Sequence, residues 1–193
     1  MGTNLFDLTG RVAIVTGGSR GLGKEMALAF ADHGADVVIA SRKFDNCKAV
    51  ADMVAAKGRQ ALPFACHVGR WEQLQELVDA TYERFGKVDV LVNNAGLSPL
   101  YPSLSDVSED LFDKVIALNL KGPFRLSALI GERMAVGDGG SIINVSSTAA
   151  VTPSPSAEPY GAAKAGLNTL TRSFAYAYGP KVRVNCIMAG PFL

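Results

Sequence analysis

The feature that most constrains this chain is an alternation. Short β-branched apolar runs take turns with longer amphipathic stretches. The runs fall at residues 12–16, 37–41, 61–66, 88–93, 141–146 and 182–187. Most are almost continuously apolar, which is the pattern of strands buried on both faces. The stretches at 22–33, 45–57, 71–85, 109–136 and 160–178 read as helices. Gly34, Gly58 and Gly86 follow the first three, and glycine readily takes the left-handed conformation that closes a helix. Gly122-Pro123 falls inside the fourth and is expected to kink or interrupt it, because proline has no N–H to donate. Pro159 precedes the fifth and Gly179-Pro180 follows it. Repeated β–α units with short connections build a parallel sheet with right-handed crossovers and helices on both faces. The expected fold is α/β, a doubly wound parallel sheet of six strands. It should form one domain over residues 1–193, with no internal repeat and no linker.

Composition enters as exclusion. Hydrophobic residues make up 48% and charged residues 19%, and 19 basic against 18 acidic side chains leave a net charge of +1. That balance points to neither nucleic acid nor an anionic membrane surface. No apolar run approaches the roughly 18 residues of a membrane span. Residues 1–8 carry Asp7 and no basic segment, so no signal peptide is expected. Phe6 breaks the myristoylation pattern that Met1-Gly2 opens. Cys47, Cys66 and Cys186 are odd in number and far apart. They read as free thiols in a reducing compartment, with no metal site and a cytoplasmic location. His67 adjoins Cys66, but adjacent residues rarely converge on one metal.

The first strand runs into Thr16-Gly17-Gly18-Ser19-Arg20-Gly21-Leu22-Gly23. Residues without side chains let the backbone turn tightly and approach a pyrophosphate. The helix that follows offers unpaired N–H groups and the positive end of its dipole. Gly17, Ser19, Arg20, Gly21, Leu22 and Gly23 are therefore candidate dinucleotide contacts, although such a turn also serves as a plain connection. The end of the second strand bears on the ribose. A carboxylate there accepts a 2′-hydroxyl; this chain has Ala40-Ser41-Arg42-Lys43, with no acid before Asp45. Arg42 can pair with a 2′-phosphate, Ser41 can hydrogen-bond it, and Arg20 can add a second cation. NADP(H) is expected over NAD(H).

The second half carries a proton-transfer pattern. Tyr160 and Lys164 stand four apart, on one face of a helix. Bringing a phenol from a pKa of about 10 to about 7 takes roughly 4 kcal/mol, and nearby cations favour the phenolate. Alone, the pair reads far more readily as solvent-facing. Ser147 ends the fifth strand, thirteen residues before Tyr160, at the carboxyl edge where such sheets bind ligands. The fourth strand ends in Asn93-Asn94-Ala95-Gly96, small residues where a cofactor would cross, and also turn formers.

Together these motifs resemble the short-chain dehydrogenase/reductase family in its single-domain form. Thr16-Gly17-x-x-x-Gly21-x-Gly23, Asn93-Asn94-Ala95-Gly96, Asn119, Ser147, Tyr160-x-x-x-Lys164 and Arg183-Val184-Asn185 occur in family order and spacing. The resemblance implies a Rossmann sheet and hydride transfer between NADP(H) and a carbonyl or alcohol substrate. It implies Tyr160 as general acid/base, with Lys164 on the nicotinamide ribose and lowering the tyrosine pKa. It gives Ser147 the substrate oxygen, and Asn119 a water that links Lys164 to solvent. Asn94, Ala95 and Gly96 would line the adenosine side, His67 and Val68 the adenine, and Gly190 the end of the sixth strand. The family's acid before Val68 is His67 here, which leaves the Val68 backbone for that contact. Segments 97–101 and 148–159 would flank the pocket. They offer Leu100, Tyr101, Val151 and Pro155, with Glu158 among few charges. That suits an uncharged or acyl-type ketone, and the resemblance alone implies a 3-oxoacyl thioester. The helices at 109–136 and 160–178 would pair across a two-fold axis, giving a homodimer or homotetramer. Family members continue past the matched region into a substrate-covering segment and a seventh strand. A chain ending Gly190-Pro191-Phe192-Leu193 is expected to be part of a longer one. The alternatives are a nucleotide-binding protein of the same fold without turnover, an NAD-dependent dehydrogenase, and a lyase or epimerase using the nucleotide transiently.

Overall fold

The apolar runs become six strands: β1 (Val12–Thr16), β2 (Asp36–Ser41), β3 (Ala61–Ala65), β4 (Val90–Asn93), β5 (Gly140–Ser147) and β6 (Val182–Ala189). The computed structural model describes residues 5–153 and 155–190. The expectations placed on Met1-Gly2 and on Pro191-Phe192-Leu193 lie outside them, as does Ser154 of segment 148–159. All neighbouring strands run parallel, in the order β3-β2-β1-β4-β5-β6. The chain builds outward from β1 to β3, then returns to lay β4 on the other side of β1. At that reversal the connections leave in opposite directions and open a crevice at the carboxyl ends of the strands.

The helices are α1 (Gly21–Asp32), α2 (Phe44–Ala56), α3 (Trp71–Phe85), α4 (Glu109–Ile116), α5 (Gly122–Val136) and α6 (Glu158–Tyr178). Successive strand residues point to opposite faces. Ile14 joins Leu74, Leu77, Leu126 and Ile130 under α3 and α5. Its neighbour Val15 joins Ala27, Val50 and Val54 under α1 and α2. Each fully buried side chain of this size contributes about 1.5–3 kcal/mol, and both faces of β1 are used, so the sheet's centre is its most firmly held part.

Three boundaries differ from the sequence reading for physical reasons. Strand β4 begins at Val90 because the Asp89 carboxylate takes the Val12 N–H (2.9 Å) and the Arg11 guanidinium (2.8 Å). Helix α6 starts two residues early, with Pro159 inside its first turn, where a missing N–H has no intrahelical partner to lose. Gly122-Pro123 does not end the helical stretch, but the regular α-helix is interrupted just ahead of it. Pro123 cannot donate to the Asn119 carbonyl, and a π-helical turn over Ala117–Lys121 joins α4 to α5 instead. Such one-turn widenings recur at functional sites, and this one contains Asn119. Among the described residues no helix is long and apolar enough to cross a membrane, and no group of His, Cys, Asp and Glu could hold a metal ion.

Candidate active site

The crevice begins where β1 and β4 end side by side. The Thr16 hydroxyl accepts the Asn94 N–H (3.0 Å) and the Ala95 N–H (3.1 Å) and donates to the Val92 carbonyl. The Asn94 side chain donates to the Thr16 carbonyl at 2.9 Å. The glycine turn is pressed onto this seam. Gly17 has φ +65°, and a Cβ on Gly23 would lie 2.3 Å from the Gly17 oxygen and 2.5 Å from the Asn94 amide nitrogen. No other residue fits at position 23. Helix α1 then starts with no side-chain cap and no acid in its first turn, so its N–H groups face the crevice unpartnered by its own cap.

The cavity measures about 510 Å³, a size typical of small-molecule sites. Gly17, Ser19, Arg20, Gly21, Leu22, Gly23, Ser41, Arg42, His67, Val68, Asn94, Ala95 and Gly96 line it. Cys66, Leu97, Lys114 and Leu118 complete the wall. The Ser19 and Ser41 hydroxyls meet at 2.9 Å. The His67 ring accepts the Gly69 N–H on Nδ1 at 3.1 Å, and its backbone N–H goes to Gln73. Burial pushes the Cys66 thiol up to about 12, with Glu76 and Cys47 adding to it, so Cys66 is a wall and not a nucleophile. Exposed backbone donors, three cations and no carboxylate line this cavity. That donor set, with the glycine cradle, fits a phosphorylated dinucleotide. Gly190 is exposed at the end of β6 and a Cβ there would meet nothing within 4 Å; it lies outside the cavity wall, as do Tyr160 and Lys164. Thr16, Cys66, Lys114 and Leu118 were not singled out as contacts from sequence. The one available signal was spacing: Lys114 and Leu118 stand one helical turn apart, just ahead of Asn119.

Beside the cavity lie the residues singled out from the sequence for proton transfer. Lys164 is 3% exposed, and its Nζ donates to the Val145 carbonyl at 2.8 Å. Burial lowers its pKa from 10.5 to about 8, against a small opposing effect of Cys186. The ammonium stands 5.6 Å from the Tyr160 ring centroid. A Cβ on Gly96 would lie 3.1 Å from Asn119 Oδ1 and 3.7 Å from Lys164 Nζ, so Gly96 is where the cavity wall meets the lysine. Asn119 is fully buried; its amide donates to the Leu97 and Val115 carbonyls (2.8 and 2.9 Å) and accepts the Leu97 N–H at 3.2 Å. Ser147 is half-buried at the end of β5, and its oxygen accepts the Ala149 N–H at 3.2 Å. The hydroxyl proton stays available. Tyr160 is also half-buried. Its neighbour Gly161 lets α6 approach the turn after Ser147: a Cβ there would be 2.9 Å from the Ala149 oxygen.

The expected pocket flanks meet each other. The Tyr101 hydroxyl donates to the Glu158 carboxylate and accepts the Glu158 N–H at 2.9 Å, while Leu100 and Val151 stand exposed. A second groove of about 440 Å³ separates Val151, Thr152, Pro153 and Pro155 from Gly161, Ala162 and Ala165 of α6.

A sheet that reverses direction at β1, with a phosphate-shaped cradle at the reversal, marks a dinucleotide-binding protein of the Rossmann class. The chain belongs to the short chain dehydrogenase family, whose model matches residues 11–193. It is 36% identical over 184 residues to the human dehydrogenase/reductase SDR family member 4, covering 95% of this chain and 66% of that protein. A metagenomic short-chain oxidoreductase solved in complex with NADP superposes with a TM-score of 0.89 at 34% identity, over 96% of this chain and 84% of that one. An NAD+-bound xylitol dehydrogenase superposes with a TM-score of 0.90 at 30% identity, over 95% and 71% of the two chains. The chain thus spans just under two thirds of the length of that human relative.

Proposed function

We propose that this chain is the nucleotide-binding and catalytic domain of an NADP(H)-dependent oxidoreductase that interconverts a carbonyl and an alcohol. The observation that carries the reading is Lys164, a buried cation one helical turn from Tyr160 and beside the cavity wall at Gly96. A buried charge is expensive to keep without a use. When bound, the nicotinamide supplies or accepts the hydride. Tyr160 gives its phenolic proton to the carbonyl oxygen during reduction and takes it back during oxidation. The Lys164 ammonium stabilises the phenolate left behind. Ser147 donates its free hydroxyl proton to the same substrate oxygen and holds it in place. Asn119 holds the segment around Leu97, and with it the wall at Gly96, against Lys164.

Arg42, Ser41, Ser19 and Arg20 support NADP(H) over NAD(H), since they offer a 2′-phosphate cations and hydroxyls and no repelling acid. Relatives of this fold hold either nucleotide, so the preference rests on these side chains. Leu97 and the exposed Leu100 and Val151 favour an uncharged ketone.

Tyr160→Phe keeps the ring and removes the proton. Turnover of NADPH with a ketone panel should fall roughly 10²- to 10⁴-fold, with NADPH affinity by fluorescence titration unchanged. Turnover that survives the substitution refutes the assignment. Nucleotide binding without turnover in the unsubstituted protein would leave only a binding role.

A further inference from the structure

We propose that Tyr101 is a positioning residue for the proton-transfer helix: its hydroxyl clasps Glu158 and so sets the start of α6, two residues ahead of Tyr160. The inference rests on the function proposed above and extends it to a residue outside the wall of the nucleotide cavity.

Tyr101 is 8% exposed, although Leu100 beside it is 84% exposed and residues 102–106 all face solvent. One phenol turns inward from an otherwise exposed segment. Its oxygen is used in both directions. It donates to the Glu158 carboxylate and accepts the Glu158 N–H at 2.9 Å, across 57 residues of sequence. The helix needs such a partner. Its N-cap is Ala157, which has no side chain able to cap, and the first N–H groups of any helix lack intrahelical acceptors. Tyr101 supplies from a distant segment the cap that the local sequence lacks. The residue before Ala157 adds a reason: Ser156 sits at φ +60°, a conformation a non-glycine residue holds only when its surroundings impose it.

The polarity of the clasp is settled by its surroundings. Burial and the adjacent carboxylate push the Tyr101 phenol up, while the Tyr101 hydroxyl holds Glu158 below the usual carboxylate range. At neutral pH the tyrosine is the donor and the glutamate the acceptor. The far side of the same stretch is held by Lys164 on the Val145 carbonyl. Tyr160 thus lies between two fixed points, and without Tyr101 one of them is released.

Tyr101→Phe retains the buried ring and removes the hydroxyl. The expected result is a fall of about tenfold or more in kcat, as for a misplaced reacting group, with KM for NADPH within about twofold of the parent because the nucleotide cavity is lined elsewhere. The Glu158 amide, followed by NMR hydrogen exchange, should exchange at least about tenfold faster as its acceptor disappears. Glu158→Gln keeps both an acceptor and the N–H and should restore near-parental kcat. Glu158→Ala on an exposed side chain should lower it. A clasp that only stabilises the helix would move Tm and leave kcat alone. A kcat within twofold of the parent in Tyr101→Phe, an unchanged Glu158 amide, or an unaffected Glu158→Ala overturns the proposal. Tyr160→Phe in the same assay separates the failures. If it retains turnover, or if the parent turns over no carbonyl, the proposed function and the positioning role fall together. If it loses turnover while Tyr101→Phe does not, the clasp alone is refuted.

Discussion

Lys164→Met asks what the buried ammonium does to the fold. The lysine pKa moves from 10.5 to about 8 on burial, a displacement equivalent to about 3 kcal/mol against the charged folded state. With Lys164 3% exposed, little solvent screening reduces that figure. Methionine occupies similar space without charge, but it leaves the Val145 carbonyl without its 2.8 Å donor, a loss of about 1–3 kcal/mol. The variant should therefore be more stable than the parent by up to about 2 kcal/mol at pH 7 in urea unfolding. The sign depends on pH. Below pH 8 the lysine is charged folded and unfolded, and the parent bears the full penalty. Between pH 8 and 10.5 the folded lysine releases its proton while the unfolded chain keeps it, so the parent gains on the variant. Above that window only the hydrogen bond remains, and the parent should be the more stable protein. Groups remote from Lys164 titrate alike in both proteins and cancel in the difference. A difference that stays flat from pH 7 to pH 10.5 would refute the reasoning, and so would a variant less stable at every pH.

Two further outcomes follow from the cavity and its support. Arg42→Ala should weaken NADPH by about 1.5–3 kcal/mol, roughly 10- to 150-fold in Kd, and leave NADH nearly unchanged. Equal losses for both nucleotides in fluorescence titration would remove the 2′-phosphate assignment. Asn119→Ala leaves the Leu97 N–H and carbonyl and the Val115 carbonyl without their partners, and should lower stability by at least about 2 kcal/mol. A urea midpoint unchanged at constant slope would show that Asn119 does not hold that segment.

The strands and helices were legible because each repeats a local rule. Residues 71–85 read as a helix from their spacing and Gly86, and α3 has those bounds. The cavity wall was legible where it is contiguous in sequence, at the glycine turn and at Asn94-Ala95-Gly96. It was illegible where it depends on how a helix lies across the sheet: Lys114 and Leu118 enter it from α4 and the π turn. Proline rules placed an irregularity at Gly122-Pro123 but not its form, a widening of the helix by one residue just ahead of it. The tyrosine–lysine spacing was visible, but not that the lysine would be buried while the tyrosine stays half-exposed. That difference comes from Val145 and Gly96, both distant in sequence. Tyr101 on Glu158 is of the same kind, a pairing across 57 residues.

The cavity at the glycine turn and the group around Lys164, to which proton transfer is assigned in the proposal, are joined by one short piece of backbone. Asn94 grips Thr16 at the cradle, Gly96 lies against Lys164 and Asn119, and Leu97 is tied to Asn119 through both its N–H and its carbonyl. The π turn supplies the far anchor, since Asn119 sits within it and also bonds Val115. Every link but the Gly96 approach is a hydrogen bond to main chain, which has fewer ways to relax than paired side chains do. A shift of the glycine turn that displaced Asn94 would therefore be carried two residues along, to Gly96 and the lysine beside it. Under the proposed function, phosphate binding at one end and proton transfer at the other would be set by the same segment, and a Cβ at 96, 3.1 Å from Asn119 Oδ1, would press on the side chain that anchors it.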